Sequence, residues 1–167
     1  MNSSLIVLRQ MQPEHWPQVR AIFQEGIETN ISTLETEPPD WDFFDTNHLQ
    51  NCRIIALINN NITGWAALTP ASHRKAYQGV AEVSIYIANN FKKKGIGSKL
   101  MENLISCSEN HGIWTLQSIV FPENKPSIQL HYRYGFRLVG YRERIAKNRK
   151  GQWQDTLLME RRTAKIS

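Results

Sequence analysis

Glu82 lies in the strand-like run Val80-Ala81-Glu82-Val83-Ser84-Ile85-Tyr86-Ile87, which leads into Lys92-Lys93-Lys94-Gly95-Ile96-Gly97-Ser98. A carboxylate on an otherwise apolar strand is a candidate general base. The glycines that follow let the backbone turn sharply and approach a ligand without a Cβ in the way. Free N–H groups at the start of the next helix, at the positive end of its dipole, bind phosphate oxygens, and the lysines add to the attraction. The loop is not a Walker A motif, which needs Gly-Lys-Ser/Thr at its end, and it lacks the full Gly-x-Gly-x-x-Gly of dinucleotide folds. Taken alone, it reads equally well as a surface turn carrying solvated lysines. Glu82 by itself also reads as an edge-strand carboxylate facing solvent, or as a partner of Arg74.

A second group of candidates lies downstream, where Asn124-Lys125-Pro126-Ser127 precedes His131-Tyr132-Arg133-Tyr134-Gly135-Phe136. Asn124 suits a helix N-cap, and His131 belongs to the residue type that exchanges a proton near neutrality. Upstream, Arg74 in Arg74-Lys75-Ala76-Tyr77 offers a guanidinium that binds a carboxylate in bidentate fashion. Tyr77, Tyr86, Trp153 and Asp155 are further pocket candidates, although aromatic residues are more often core. His15, His48, His73 and His111 have no comparable context and read as surface residues.

These residues need elements to hold them. The pattern predicts a strand over 5–9 and then a helix opened by Pro13, with Trp16, Val19, Ile22, Phe23 and Ile27 at near-helical spacing. Residues 33–42, rich in Pro and Glu, read as a long loop. Strands over 53–58 and 64–69 flank an Asn-rich turn, and 80–88 alternates as a strand with two faces. A helical stripe of Leu100, Met101, Leu104 and Ile105 begins after Gly97 and ends at Gly112. A strand over 115–121, a helix over 126–134 and a hairpin of strands over 136–145 and 153–160 complete the order. This is an α/β (α+β) arrangement in which helices are inserted between the strands of one mixed, mostly antiparallel sheet. The expectation is a single domain over 1–167.

Composition narrows the partners. The chain has 167 residues, with 41% hydrophobic and 21% charged, which suits a globular domain with a sizeable core. Twenty basic residues against 15 acidic ones leave a net charge of +5, yet the one dense basic run is Lys92-Lys93-Lys94. A nucleic-acid surface shows a broader basic stripe, so a local anion site is expected and no nucleic-acid partner. No segment approaches the roughly 18 apolar residues of a membrane span, and residues 1–10 do not read as a signal peptide. The expected setting is the cytoplasm, with no membrane partner. Cys52 and Cys107 stand far apart with no Cys-x-x-Cys or Cys/His cluster. Two separate buried thiols are expected, with neither a zinc site nor a disulfide.

The loop Lys92-Lys93-Lys94-Gly95-Ile96-Gly97 resembles the Gln/Arg-x-x-Gly-x-Gly/Ala pyrophosphate loop of the GNAT acetyltransferases, with Lys92 keeping the charge at the Gln/Arg position. The passage from Asn124 to the Gly135-Phe136 pair resembles that family's second signature, in the same order and at the same spacing. The likeness sharpens toward the phosphinothricin N-acetyltransferase branch. It is carried by Ile27-Glu28-Thr29, Glu35-Thr36-Glu37-Pro38, Arg74-Lys75-Ala76-Tyr77, the strand around Glu82, Pro122 to Ser127 with His131, and Gly151-Gln152-Trp153-Gln154-Asp155. Leu34 departs from the aromatic residue of that branch, which bears on the size and shape of the acceptor pocket.

The resemblance implies the GNAT acyl-CoA N-acyltransferase fold, acetyl-CoA as co-substrate and no metal. It implies Glu82 as base and His131, with Tyr132 as the alternative, as proton donor to the departing thiolate. Cofactor contacts would come from Ile85, Tyr86 and Ile87, from Lys92, Lys93, Lys94, Gly95, Ile96, Gly97 and Ser98, and from Asn124 and Ser127. Arg74, Tyr77 and Glu82 would hold an amino-acid acceptor such as phosphinothricin, methionine sulfoximine or methionine sulfone. A homodimer is also implied, with the last strands or the C-terminal region near the interface. The competing readings are a GNAT enzyme for a polyamine, an aminoglycoside or a protein N-terminus, a non-catalytic CoA-binding module, and a small RNA-binding domain. An aminoglycoside demands an acidic pocket, which the basic balance and Arg74 oppose. The RNA reading lacks a stacking-aromatic pattern and a second basic cluster.

Overall fold

A computed structural model describes residues 5–166. Seven strands form one sheet in the order β1-β2-β3-β4-β5-β7-β6. They are β1 (Val7–Gln10), β2 (Ile54–Ile58), β3 (Asn61–Pro70), β4 (Val80–Ile87), β5 (Thr115–Val120), β6 (Arg137–Lys147) and β7 (Trp153–Arg162). Every neighbouring pair is antiparallel except β4 and β5. The helices are α1 (Trp16–Glu28), α2 (Trp41–Asn47), α3 (Ile96–Asn110) and α4 (Lys125–Arg133).

Alternation along the strands sorts the core into two layers. Ile54, Ala56, Ile58, Ala66, Leu68, Ala81 and Val83 pack with Ile96, Leu100, Met101 and Leu104 of α3. Ile55, Leu57, Trp65 and Ala67 face the other way, against Trp16, Val19, Ile22, Phe23 and Ile27 of α1 and Phe44 of α2. Asn59 and Asn60 both take left-handed φ, 50° and 63°, which gives the tight β2–β3 turn expected from the Asn run.

Two expectations need correction. The stretch over 33–42 is not followed directly by a strand, because Asp40 caps α2 by accepting from the Phe43 N–H at 2.9 Å. Seven residues show too little periodicity for such a helix to be read from sequence, and its burial rests on Phe44 alone. The cysteines are not separate thiols: Cys52 and Cys107 form a disulfide with Cα atoms 5.6 Å apart. Packing of α3 on β2 brings together residues 55 apart in sequence, and spacing along the chain carries no sign of that contact.

At its C-terminal end α3 is tied to the end of β7. Glu109, with its side chain 5% exposed, accepts from Arg161 at 3.0 Å, Thr163 Oγ1 at 2.7 Å and Lys165 at 2.7 Å. Burial raises its pKa, but the bonds from Lys165, Thr163 and Arg161 outweigh burial and bring it down to about 2 from an ordinary 4.5. A depressed carboxylate contributes stability above its unfolded pKa and loses it as pH falls toward the folded value. Glu109→Gln should therefore lower stability at pH 7 by about 1–3 kcal/mol. It should also flatten the acid limb of a urea-unfolding series between pH 4.5 and 2, where the parent protein loses that contribution.

Candidate active site

Parallel pairing between β4 and β5 covers Val80↔Thr115, Ala81↔Leu116 and Glu82↔Gln117, and among the described residues it stops there. β4 nevertheless runs on to Ile87, paired on its other side with β3 as far as Ile87↔Gly64. The two strands thus part immediately after Glu82. The Ala88 N–H donates to the Thr63 carbonyl at 2.9 Å, so even-numbered N–H groups of β4 point toward β3. By alternation the N–H groups of Ile85 and Ile87 point into the gap where β5 has left the ladder.

The basic loop and the start of α3 follow β4 directly. Gly95 is left-handed at φ 82° and precedes the first helical residue, and a Cβ there would meet nothing within 4 Å. Lys92, Lys93 and Lys94 are exposed, and Lys94 rides over the Phe91 ring at 4.9 Å. A Cβ on Gly97 would lie 3.4 Å from Leu130 of α4, and Arg133 of α4 reaches Ser98 Oγ at 3.4 Å. The loop therefore presents free N–H groups, three lysines and a nearby guanidinium, which is the donor set that phosphate oxygens require. Arg133 carries no local sign of this approach, because α3, β5 and most of α4 separate it in sequence from the loop.

Glu82 is half-buried and accepts from Gln117 Nε2 at 3.3 Å, its register partner on β5. Among the described residues it forms no ion pair with Arg74. An open cleft of about 500 Å3 lies beside this pair, lined by Arg74, Tyr77, Val80, Thr115, Gln117 and Glu160. Arg74 and Tyr77 are exposed on its wall, and Glu160 is paired with Arg137. Gln117 and Glu160 escaped notice because their position depends on the crossover that sets β5 beside β4.

Tyr86 shares the Glu82 face of β4. Its ring stacks on Trp65 at 4.9 Å and leans on Phe23 at 4.8 Å. Burial pushes its phenol up to about 12, against a hydrogen bond with Thr33, and the carboxylates of Glu35 and Glu82 push the same way. The loop after α1 therefore closes over the Glu82 side of the sheet. Asn124 holds that loop as well, donating to the Ile31 carbonyl at 3.2 Å while accepting from the Ser127 N–H at 3.3 Å. It is the N-cap of α4 and a clasp between α4 and the loop.

His131 is buried, 4% exposed, and edge-on to Phe136 at 4.8 Å. Its Nδ1 lies 2.6 Å from the Ser127 carbonyl, which accepts and so places the proton on Nδ1, leaving Nε2 buried without a partner. Burial pulls its pKa below the usual histidine value, against the Ser127 bond, so the ring is neutral at pH 7. Tyr132 stands on the outer side of α4, 51% exposed. Asp155 is occupied elsewhere: it accepts from the Tyr141 hydroxyl and from the Arg144 N–H at 2.7 Å, bracing a bulge in β6 where Arg144 has φ 48°. Trp153 is exposed and carries the Lys147 ammonium over its ring at 5.0 Å. Neither lines the cleft.

The chain matches the model of the acetyltransferase (GNAT) family over residues 15–136. It is 32% identical over 124 residues to a Bacillus subtilis protein provisionally named as a phosphinothricin acetyltransferase, covering 71% of this chain and 76% of that one. It is 24% identical over 150 residues to the L-methionine sulfoximine/L-methionine sulfone acetyltransferase of Pseudomonas aeruginosa, covering 86% and 87%. Its fold superposes with a TM-score of 0.87 on a GNAT phosphinothricin acetyltransferase of Sinorhizobium meliloti solved with acetyl-CoA, at 24% identity and covering 97% and 90%.

A Cβ placed on Gly26 would fall 2.5 Å from Tyr86 Cδ1, and the ring has Trp65 and Phe23 already against it. Gly26→Ala should cost about 1–3 kcal/mol of stability by overpacking. Because Tyr86 shares the Glu82 face of β4 and its phenol feels the Glu82 charge, the acceptor KM should rise while binding of CoA, followed by calorimetry, stays near that of the parent.

Proposed function

The chain belongs to the GNAT acetyltransferase family, and we propose that it moves the acetyl group of acetyl-CoA to the α-amino group of a compact amino acid. The acceptor is of the phosphinothricin, methionine sulfoximine or methionine sulfone type, which are the compounds in the names of its relatives. The observation that carries the reading is the parting of β4 from β5 directly beyond the Glu82–Gln117 pair. It leaves two unpaired backbone donors beside a carboxylate, with an anion-binding loop at the end of the same strand.

Acetyl-CoA is the co-substrate, and the residues at hand suit it. The loop Lys92–Ser98 takes the pyrophosphate, and Asn124 and Ser127 at the start of α4 contact the pantetheine or phosphate end of the cofactor. The pantetheine arm extends the ladder in the place β5 vacates, alongside Ile85, Tyr86 and Ile87. One of the freed N–H groups then faces the thioester oxygen, a contribution of roughly 2.7–4 kcal/mol where such donors have been removed from other enzymes.

An amino acid arrives as a zwitterion. Arg74 holds its carboxylate in the cleft, with Tyr77 against the side chain, and Glu82 takes the proton of its ammonium. The freed amine attacks the thioester carbon, the carbonyl oxygen gains charge toward the β4 donors, and the C–S bond breaks on collapse. His131 serves the departing thiolate as a relay: its bare Nε2 takes the proton that the attacking nitrogen sheds and passes it to the sulfur as the C–S bond breaks, since burial keeps no standing proton there. A wholly acidic cleft, as a polycation would require, is not what Arg74 provides.

We propose a cytoplasmic enzyme, because acetyl-CoA is an intracellular metabolite, and one domain over 1–167, because strands from Val7 to Arg162 share one sheet. No described helix is long and apolar enough to cross a membrane. We also propose a homodimer. Its support is β6, an edge strand of eleven residues that exposes Leu138, Val139, Tyr141 and Ile145, with Trp153 beside it. A long apolar edge of this kind calls for cover.

CoA release from acetyl-CoA should be seen with phosphinothricin, methionine sulfoximine or methionine sulfone, and not with spermidine or an aminoglycoside. Activity on the polycations alone would overturn the acceptor. Glu82→Gln should lower kcat/KM by about 10²-fold or more. The deficit should shrink as pH rises through about 8–10, where the amine loses its proton unaided. His131→Asn keeps a donor for the Ser127 carbonyl and removes Nε2. It should lower kcat with little change in the acetyl-CoA KM, whereas Tyr132→Phe should leave both within about twofold if the relay is His131.

A further inference from the structure

Among the described residues, Cys52, Cys107 and His111 are the one group of three metal-ligating side chains whose donor atoms all lie within 4.8 Å of one another. His111 Nδ1 is 3.7 Å from Cys107 Sγ and 3.9 Å from Cys52 Sγ. Zinc holds sulfur at about 2.3 Å and nitrogen at about 2.0–2.1 Å in tetrahedral geometry, so two such ligands stand about 3.6 Å apart across the ion. The imidazole therefore already sits at a tetrahedral-edge distance from both sulfurs. Cys107 lies in the last turn of α3 and His111 is its C-cap, at i and i+4, a spacing that sets side chains on one face. Cys52 is presented from the opposite wall in a left-handed backbone conformation, φ 65°. A cleft of about 330 Å3, with Asn51 and Asn103 on its walls, opens onto all three residues.

We propose that Cys52, Cys107 and His111 form a redox-gated site for a soft divalent cation such as Zn2+, distinct from the acetyl-transfer centre. In the oxidised protein the sulfurs are spent on each other and the site is closed. A dithiol supplies two electrons and two protons, the Cys52–Cys107 bond becomes two thiols, and the dithiol closes into its own disulfide. The cation then displaces both thiol protons. His111 Nδ1, which now donates to the Cys107 carbonyl at 2.8 Å, must give up its proton while Nε2 gains one. The exposed ring can make that exchange with solvent. Two thiolates balance the charge of the dication, and three protein donors leave a fourth position toward the cleft for water or an outside ligand. In either state α3 remains fastened to the segment leading into β2, by a covalent bond or by the metal.

The test uses Co2+ on the full chain after reduction and anaerobic removal of the dithiol. One cobalt per chain should bind with thiolate-to-cobalt charge-transfer absorption, and Zn2+ should displace it. The oxidised chain should take up none. Cys107→Ser should abolish the band. His111→Ala, a change at an exposed ring, should still form the disulfide by mass spectrometry yet bind cobalt about tenfold or more weaker. The idea fails if the reduced chain shows no such band, if Cys107→Ser or His111→Ala binds as the parent does, or if reduction alone abolishes the native circular dichroism. None of these readouts involves acetyl transfer, so the function proposed above stands or falls separately.

Discussion

β4 shares three register pairs with β5 and seven with β3, and this inequality shapes the rest of the molecule. A parallel neighbour must be reached by a crossover, here α3, so the helix that follows β4 begins at the end of the strand that β5 abandons. The unpaired N–H groups, the left-handed Gly95 and the first turn of α3 consequently fall on one continuous path. Backbone donors in a protein interior need partners. An opened ladder is therefore a place where a ligand with amide and carbonyl groups completes the sheet.

The period-two alternation of β4 divides labour across that opening. Ala81 and Val83 point to α3 and are buried in its layer, where they hold the strand in place. Glu82 and Tyr86 point the other way, toward α1 and the loop after it, where the Tyr86 ring packs on Trp65 and Phe23 and fills the place that a side chain at Gly26 would take. One strand thus anchors itself on one face and offers chemistry on the other. Asn124 joins the two sides by capping α4 while gripping the carbonyl of Ile31, and the disulfide and Glu109 secure α3 near its far end.

Much of this was legible before any coordinates. The order of strands and helices followed from periodicity, since β4 alternates strictly and α3 repeats Leu100, Met101 and Leu104 on one face. The basic loop and the Asn124-to-Phe136 passage pointed to acyl-CoA through their resemblance to the two GNAT signatures, because taken alone the loop reads equally well as a surface turn and Asn124 as a plain N-cap. α2 was not legible, being short and held by one buried phenylalanine. The Cys52–Cys107–His111 group was read as two thiols and a surface histidine, since its members come from three places along the chain.

Local pattern was enough for the order of the elements other than α2, for the two faces of each strand and for the run of lysines and glycines that opens α3. These depend on dihedral preference and side-chain period, which act over a few residues. Long-range packing set where β5 leaves β4, that Gln117 meets Glu82, that His131 is buried with its Nε2 bare and its pKa lowered, and that Asp155 braces a bulge instead of lining the cleft. Each of those depends on which surfaces are removed from water together. Contact, desolvation and charge pairing of that kind act through space between residues that the chain keeps far apart.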